Sequence, residues 1–142
     1  VPARVRILCR NESGEILLLK WRDPLDAHVF WEPPGGGIEA GEEPDEAAVR
    51  ELYEETGYQT SLADASLLVE RDYVFAGHHH RHTERFFFTT VAGSPSPAAF
   101  SEQEIATFLE ARFVHPSKLV ALDALVEPPH LGSLIAQLIP AE

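Results

Sequence analysis

Three glutamates, Glu51, Glu54 and Glu55, crowd one short stretch of this 142-residue chain, within residues 36–58, GGIEAGEEPDEAAVRELYEETGY. The stretch reads as a helix: Pro44 suits a first helical turn, Asp45 and Glu46 place negative charge at its N-terminal dipole, and Gly57 provides the stop after Thr56. At about 100° per residue, with Ala48 as zero, Glu54, Glu51 and Glu55 fall at about 240°, 300° and 340°. The three carboxylates thus share one side, next to the apolar edge made by Ala48 and Leu52. Like charges at i+3 and i+4 each cost a few tenths of a kcal/mol, and more where water is excluded. Arg50 reaches Glu54 at i+4 but points too far round to neutralise the set. Two readings fit this spacing: a solvated acidic face, or the oxygen-rich grip of a hard divalent cation such as Mg²⁺. Zinc fits neither, because no Cys and His stand at ligand spacing.

The flanking sequence supplies the elements that must hold such a helix. Residues 5–9 and 16–21 read as strands joined by a turn at 11–14, and residues 22–28 as a polar loop. A short strand over 29–32 is ended by Pro33, Pro34 and the three glycines that follow. Residues 67–75 and 84–91 read as further strands, with the histidine-laden 76–83 as the turn between them. Residues 93–99 form a loop, 102–109 a short helix, 111–115 a strand, 116–122 a helical turn and 131–139 a closing helix. Strands that surround one strong helix and are followed by others predict an α/β domain, a mixed sheet covered by helices on both faces.

There are 11 basic residues against 23 acidic, a net charge of −12. Such a surface repels nucleic-acid backbones and anionic lipid, which argues against a nucleic-acid polymer or a membrane as partner. A small phosphorylated ligand remains compatible where local positive charge reverses the sign. No apolar run approaches the ~20 residues of a spanning helix, and residues 1–10 lack the apolar stretch of a secretory signal. The lone Cys9 has no disulfide partner and sits in an apolar strand pattern, as a buried inert thiol does. These features predict one domain over residues 1–142, cytoplasmic, monomeric or homodimeric.

Gly36, Glu42, Arg50, Glu51, Leu52, Glu54, Glu55, Gly57 and Tyr58 follow the order Gly, five residues, Glu, seven residues, Arg-Glu-apolar-any-Glu-Glu-any-Gly-apolar. This resembles the signature box of the Nudix hydrolase superfamily; only Tyr58, aromatic where an aliphatic is usual, departs from it. Residues 14–19, 31–36 and 112–116 are similar to the family's flanking strands, so the resemblance spans most of the domain. It implies the family's α/β/α sandwich with a mixed sheet. It also implies hydrolysis of a nucleoside diphosphate linked to another group: a nucleoside triphosphate, a dinucleoside polyphosphate or a nucleotide sugar. Mg²⁺ is the implied cofactor, with Mn²⁺ as substitute. Carried over, Glu51 and Glu55 are the principal metal ligands, Glu54 supports them, and the Gly36 carbonyl adds another; Arg50 orients a carboxylate and Glu42 shapes the loop.

The resemblance leaves the general base open among Glu54, Glu84, Glu102 and Glu104. Glu104 is preferred because it precedes the Arg-Phe-Val strand, where a glutamate outside the box faces the metals. Arg22, Phe75 and Arg81 are the candidate substrate contacts. The His78 to His82 turn is either an exposed hairpin tip or a contact for phosphate or base. Tyr73, sixteen residues after Gly57, resembles a mark of the family's diadenosine polyphosphate hydrolases. One rival reading is a catalytically silent nucleotide-binding or regulatory module, whose mark would be erosion of the box. The other is isomerase chemistry on an isoprenoid diphosphate, which needs a reactive cysteine where Cys9 does not sit.

Overall fold

A computed structural model describes residues 2–141; Val1 and Glu142, the ends of the expected domain span, lie outside the described residues. The first hairpin forms as its pattern requires. Strands β1 (Arg4–Arg10) and β2 (Ile16–Arg22) flank a turn in which the Asn11 Oδ1 accepts from the Ser13 and Glu15 amides, at 3.1 and 2.9 Å. Both strands are buried along nearly their whole length, which suits a sheet covered on both faces.

That sheet forks. β1 and β2 pair at Arg10↔Ile16. Beyond that point the inner edge of β1 pairs with β4 (Gly35–Gly37), and the inner edge of β2 pairs with β3 (Val29–Glu32). β1 also pairs in parallel with β6 (His78–Thr90), which carries β5 (Ser66–Phe75) at the edge. On the other arm β2 pairs with β7 (Phe108–Val114), and β3 pairs in parallel with β8 (Leu125–Val126). The mixed sheet lies between helices α1 (Pro44–Thr56) and α3 (Leu131–Leu138), as expected. α1 buries Ala47, Ala48 and Leu52 against Val5, Ile7 and Leu19; α3 buries Leu131, Leu134 and Ile135 against Leu8, Leu18 and Trp31. Each fully buried leucine contributes about 1.5–3 kcal/mol. Among the described residues no helix is long and apolar enough to cross a membrane.

Three local expectations are corrected. The histidine run is not a turn: the hairpin closes over Ala76 and Gly77 alone, and β6 begins at His78. Both turn residues have positive φ, 53° and 78°, the two-residue geometry whose twist matches the flanking strands. Residues 78–82 then pair with β5 in unbroken register, Phe75↔His78 to Arg71↔His82. The glycine run after Pro34 does not merely end a strand but forms β4, because a Cβ at Gly35 would lie 2.0 Å from the Val5 carbonyl oxygen. The short helix α2 (Glu102–Thr107) stops before Phe108, whose ring packs on Trp21 and Phe100 at centroid distances of 5.4 and 5.0 Å. That packing draws Phe108 into β7, so the strand begins earlier than its hydrophobic pattern indicates.

On the β1–β6 arm a fully buried carboxylate, Glu84, is shared by three arginines. Arg71 Nη1 lies 3.0 Å from it, Arg6 Nε 3.5 Å and Arg4 Nε 3.8 Å, and His82 bonds to it at 2.8 Å. Burial alone would push the Glu84 carboxyl up, but Arg6, His82, Arg71 and Arg4 outweigh it and hold it at about 2. Glu84→Gln removes the anion these cations share and is expected to destabilise the fold by about 3–5 kcal/mol at neutral pH. The folded carboxyl titrates below its ordinary 4.5, so the stability it adds is present above about pH 4.5 and is lost as pH falls through about 2. Urea unfolding across that window should show the gap between wild type and variant closing in acid; a constant gap would contradict it.

Candidate functional site

A cavity of about 570 Å³ occupies the fork between the two arms of the sheet. Its two ends differ in chemistry. At one end α1 meets β4 and α2, and four glutamates line the wall: Glu51, Glu54 and Glu55 from α1, Glu104 from α2. At the other, the arginines around Glu84 form the floor, with Glu32 and Glu127 beside them and Phe30, Tyr73 and Phe75 as walls.

Local sequence builds the acidic end. The Glu46 carboxylate accepts from the Glu43 amide at 2.9 Å, starting α1. Gly57, at φ 76°, ends the helix by donating to the Tyr53 carbonyl at 2.8 Å. A side chain there would also meet the Ser96 carbonyl oxygen, 2.5 Å from a Cβ. Gly36 matters for a different reason. A Cβ on it would lie 2.4–2.5 Å from the carboxylate atoms of Glu51, so only glycine lets that carboxylate rest against the β4 backbone.

Arg50 does far more than reach Glu54, and that expectation is corrected. Its Nε and Nη2 grip Glu42 at 2.8 and 2.9 Å, its Nη1 donates to Glu51 at 2.9 Å and to Glu54 at 3.3 Å, and its Nη2 also donates to the Gly37 carbonyl at 2.9 Å. The 36–42 loop curls back over the helix, so the guanidinium meets partners that helical spacing cannot reveal. Glu42 in turn accepts from the Glu39 amide at 2.9 Å. The Arg50 bond, with that amide's help, holds the Glu42 carboxyl down at about 2.

The remaining carboxylates carry unbalanced charge. Burial raises Glu51, with Arg50 opposing and Glu54 and Glu104 adding repulsion. Glu55 is 4% exposed, and burial pushes its carboxyl well above the usual range. Contact with the Glu104 carboxyl raises it further, while the Gly35 amide, donating at 2.8 Å, pulls the other way. An all-oxygen donor set, partly desolvated and mutually repelling, fits a hard divalent cation. The separate trio Asp23, Asp26 and His28 also brings ligand atoms within 4.8 Å of one another. Its members are already engaged: Asp23 accepts from the Leu25 and Ala76 amides at 2.8 and 2.9 Å, and Asp26 pairs with His28 at 2.6 Å.

The candidate bases separate by position. Glu104 lines the cavity and has one oxygen fixed by the Ser101 amide at 2.9 Å. Glu54 lines it too but is tied to Arg50. Glu102 is exposed at the start of α2 and does not line the cavity, and Glu84 is buried among arginines. Of the candidate substrate contacts only Phe75 lines the cavity; Arg22 and Arg81 are exposed and lie outside it. Sequence reading missed Glu32, Glu127, Arg4, Arg6 and Arg71. For the arginines of β1 the signal was present, since charges alternating within a buried strand must have partners. Nothing local marked Glu32 or Glu127.

The sequence matches the NUDIX domain family over residues 1–136. It is 38% identical over 97 residues to a putative 8-oxo-dGTP diphosphatase of Bacillus subtilis, covering 68% of this chain and 58% of that protein. It is 27% identical over 126 residues to an RNA pyrophosphohydrolase of Novosphingobium aromaticivorans, covering 81% of this chain and 78% of that one. The chain therefore spans less than two thirds of the Bacillus protein's length. Its fold superposes on the E. coli dihydroneopterin triphosphate pyrophosphohydrolase with a TM-score of 0.72 at 21% identity, over 98% of this chain and 95% of that one.

The last two glycines of the 35–37 run make a contrasting pair. Gly36→Ala is expected to expel the Glu51 carboxylate at a modest cost of about 1 kcal/mol, because the displaced atoms are the end of a flexible side chain. Gly37→Ala, where an added Cβ meets nothing within 4 Å, should leave stability nearly unchanged. Thermal melts of both variants check this, and equal melting temperatures would contradict the close approach.

Proposed function

The chain belongs to the NUDIX domain family, and from that premise we propose that it is a divalent-metal-dependent hydrolase cleaving the pyrophosphate linkage of a nucleoside diphosphate joined to another group. The observation that carries this reading is the convergence of Glu51, Glu54 and Glu55 with Glu104 at one end of a cavity wide enough for a nucleotide. In this reading Glu51 and Glu55 hold the ion, with Glu54 and the Gly36 carbonyl in support; Mg²⁺ serves, and Mn²⁺ substitutes. The ion supplies neutralisation of the charge that builds on the phosphoanhydride oxygens as water attacks phosphorus and the bridging P–O bond breaks.

The chain's own residues do the rest. Arg50 clamps Glu42, Glu51 and Glu54 into one orientation through charge-assisted bonds. Glu104 takes the proton from the attacking water, its carboxylate aimed by the Ser101 amide. Glu54 serves less well as base, because its carboxylate is already engaged by Arg50. Trp21, Phe30 and Phe75 give the cavity apolar walls beside its charged groups. The relatives' names point to 8-oxo-dGTP and to RNA. The net charge of −12 favours a small nucleotide over a polymer.

A panel of nucleoside triphosphates, dinucleoside polyphosphates and nucleotide sugars, assayed with Mg²⁺ and with Mn²⁺, should reveal turnover dependent on the ion; no turnover on any would overturn the reading. Glu51→Gln should lower kcat by about two orders of magnitude or more while leaving the melting temperature equal or higher, since repulsion is relieved. Glu104→Gln should lower kcat by about 10²–10⁴-fold, with ion-induced thermal stabilisation retained. Wild-type kcat in that variant would assign the base elsewhere.

A further inference from the structure

Two long strands leave an open edge, β5 on one arm of the sheet and β7 on the other. Among the described residues β7 pairs with β2 alone, and no backbone group of residues 109–114 bonds outside that ladder. Such an edge is a template for another strand, and charge is the common guard against it. β5 is guarded in this way, with Glu70 and Asp72 both exposed. Laid antiparallel on its own copy about Arg71, β5 would set Glu70 against Asp72 on both sides of the axis, and like charges directly opposite repel.

β7 is built differently. Its residues 108–114, FLEARFV, read apolar, apolar, acid, small, base, apolar, apolar. Reversed about Ala111, the apolar positions map onto one another and the acid maps onto the base. A second copy laid antiparallel along this edge, with Ala111 on the two-fold axis, therefore sets Glu110 opposite Arg112 on both sides of the axis. Sliding by two residues either way sets Glu110 against its own copy or Arg112 against its own, so the charges also fix the register. Both side chains are available, at 40% and 45% exposure. The Arg112 guanidinium is already oriented, forked onto Glu110 at 3.1 Å and lying 4.8 Å over the Trp31 ring. Residues 110–114 run unbroken opposite Ile16–Lys20, and Leu109, at the bulge that follows, is 38% exposed. In the same register Leu109 of the second copy faces Phe113. There a hollow of about 610 Å³ lies beside the strand, lined by Ala111, Phe113, Val91 and Pro95 among others.

We propose that β7 is a self-recognition edge, on which two copies of this chain form an isologous dimer by antiparallel β7–β7 pairing about Ala111, joining their sheets into one. The net charge of −12 on each copy opposes association at long range, but salt at about 0.15 M screens charges more than about 8 Å apart. Paired strands lie about 4.8 Å apart, so the Glu110–Arg112 pairs act well inside that distance. None of the residues of β7 lines the fork cavity, and the dimer leaves its mouth to the substrate.

Analytical ultracentrifugation in about 0.15 M salt should show a monomer–dimer equilibrium as the protein is concentrated to about 1 mM. Monomer throughout overturns the proposal. Glu110→Arg leaves only cations around the axis and Arg112→Glu only anions, so either variant alone should dimerise at least about tenfold more weakly. Mixed in equal amounts, the two should associate again, because each strand then meets opposite charges; a partner other than a second copy predicts no such rescue. Wild-type affinity in either variant alone, or no gain on mixing two folded variants, overturns it. Ala111→Cys reads the register with every charge in place. Opposite Cα atoms lie about 4.5–5.5 Å apart in an antiparallel pair, within disulfide range, and the native Cys9 is fully buried. Mild oxidation should give a covalent dimer, whereas a dimer that does not cross-link there pairs by another surface and the proposal falls.

Discussion

Mutual repulsion among carboxylates that water does not fully screen is the constraint on which this molecule turns. Glu51, Glu54 and Glu55 lie on one side of a single helix, and α2 brings Glu104 to meet them. A helix on the open surface would let solvent dissipate that charge at a cost of tenths of a kcal/mol per pair. Here Glu55 is buried and Glu51 rests against the backbone of β4, so each negative charge is costly to hold and both carboxyls are raised. Arg50 offsets part of that cost. A guanidinium pairs with several carboxylates at once, and this one also ties the 36–42 loop to the helix. What it does not reach is Glu55, whose carboxyl is held instead by the Gly35 amide and the field of Arg6.

The fork in the sheet gives this constraint its setting. A continuous β1–β2 ladder would have sealed the space in which a substrate must lie. The two strands instead pair at Arg10↔Ile16, and their inner edges pass to β4 and β3. Gly35 makes the passage possible, since any side chain there would strike the Val5 carbonyl. The resulting cavity is divided physically: carboxylate oxygens line one end, aromatic faces and paired charges the other.

The comparisons follow the same division. Proteins whose names point to different substrates share this chain's fold or its family. The acidic end of the cavity is built on one helix and one loop, whereas the walls of the fork come from strands in both arms. A shared fold does not by itself fix the ligand.

Much was legible in the order of residues alone, and for a local reason. Helical spacing put the box carboxylates together, Pro44 and Gly57 bounded their helix, and alternation of apolar residues marked β1 and β2; each depends on neighbours within a few positions. Contacts between distant segments were not legible. Arg50's hold on Glu42 and Gly37, the pairing of the histidine run with β5, and the shared burial of Glu84 depend on how loops return and strands register. Glu32 and Glu127 stand 95 positions apart, and only the parallel pairing of β3 with β8 makes them neighbours. The sequence by itself thus determined the family, the main strands and helices and the clustered box carboxylates. Tertiary structure decided the opposite wall of the cavity, because it is built from side chains that chain connectivity does not bring together.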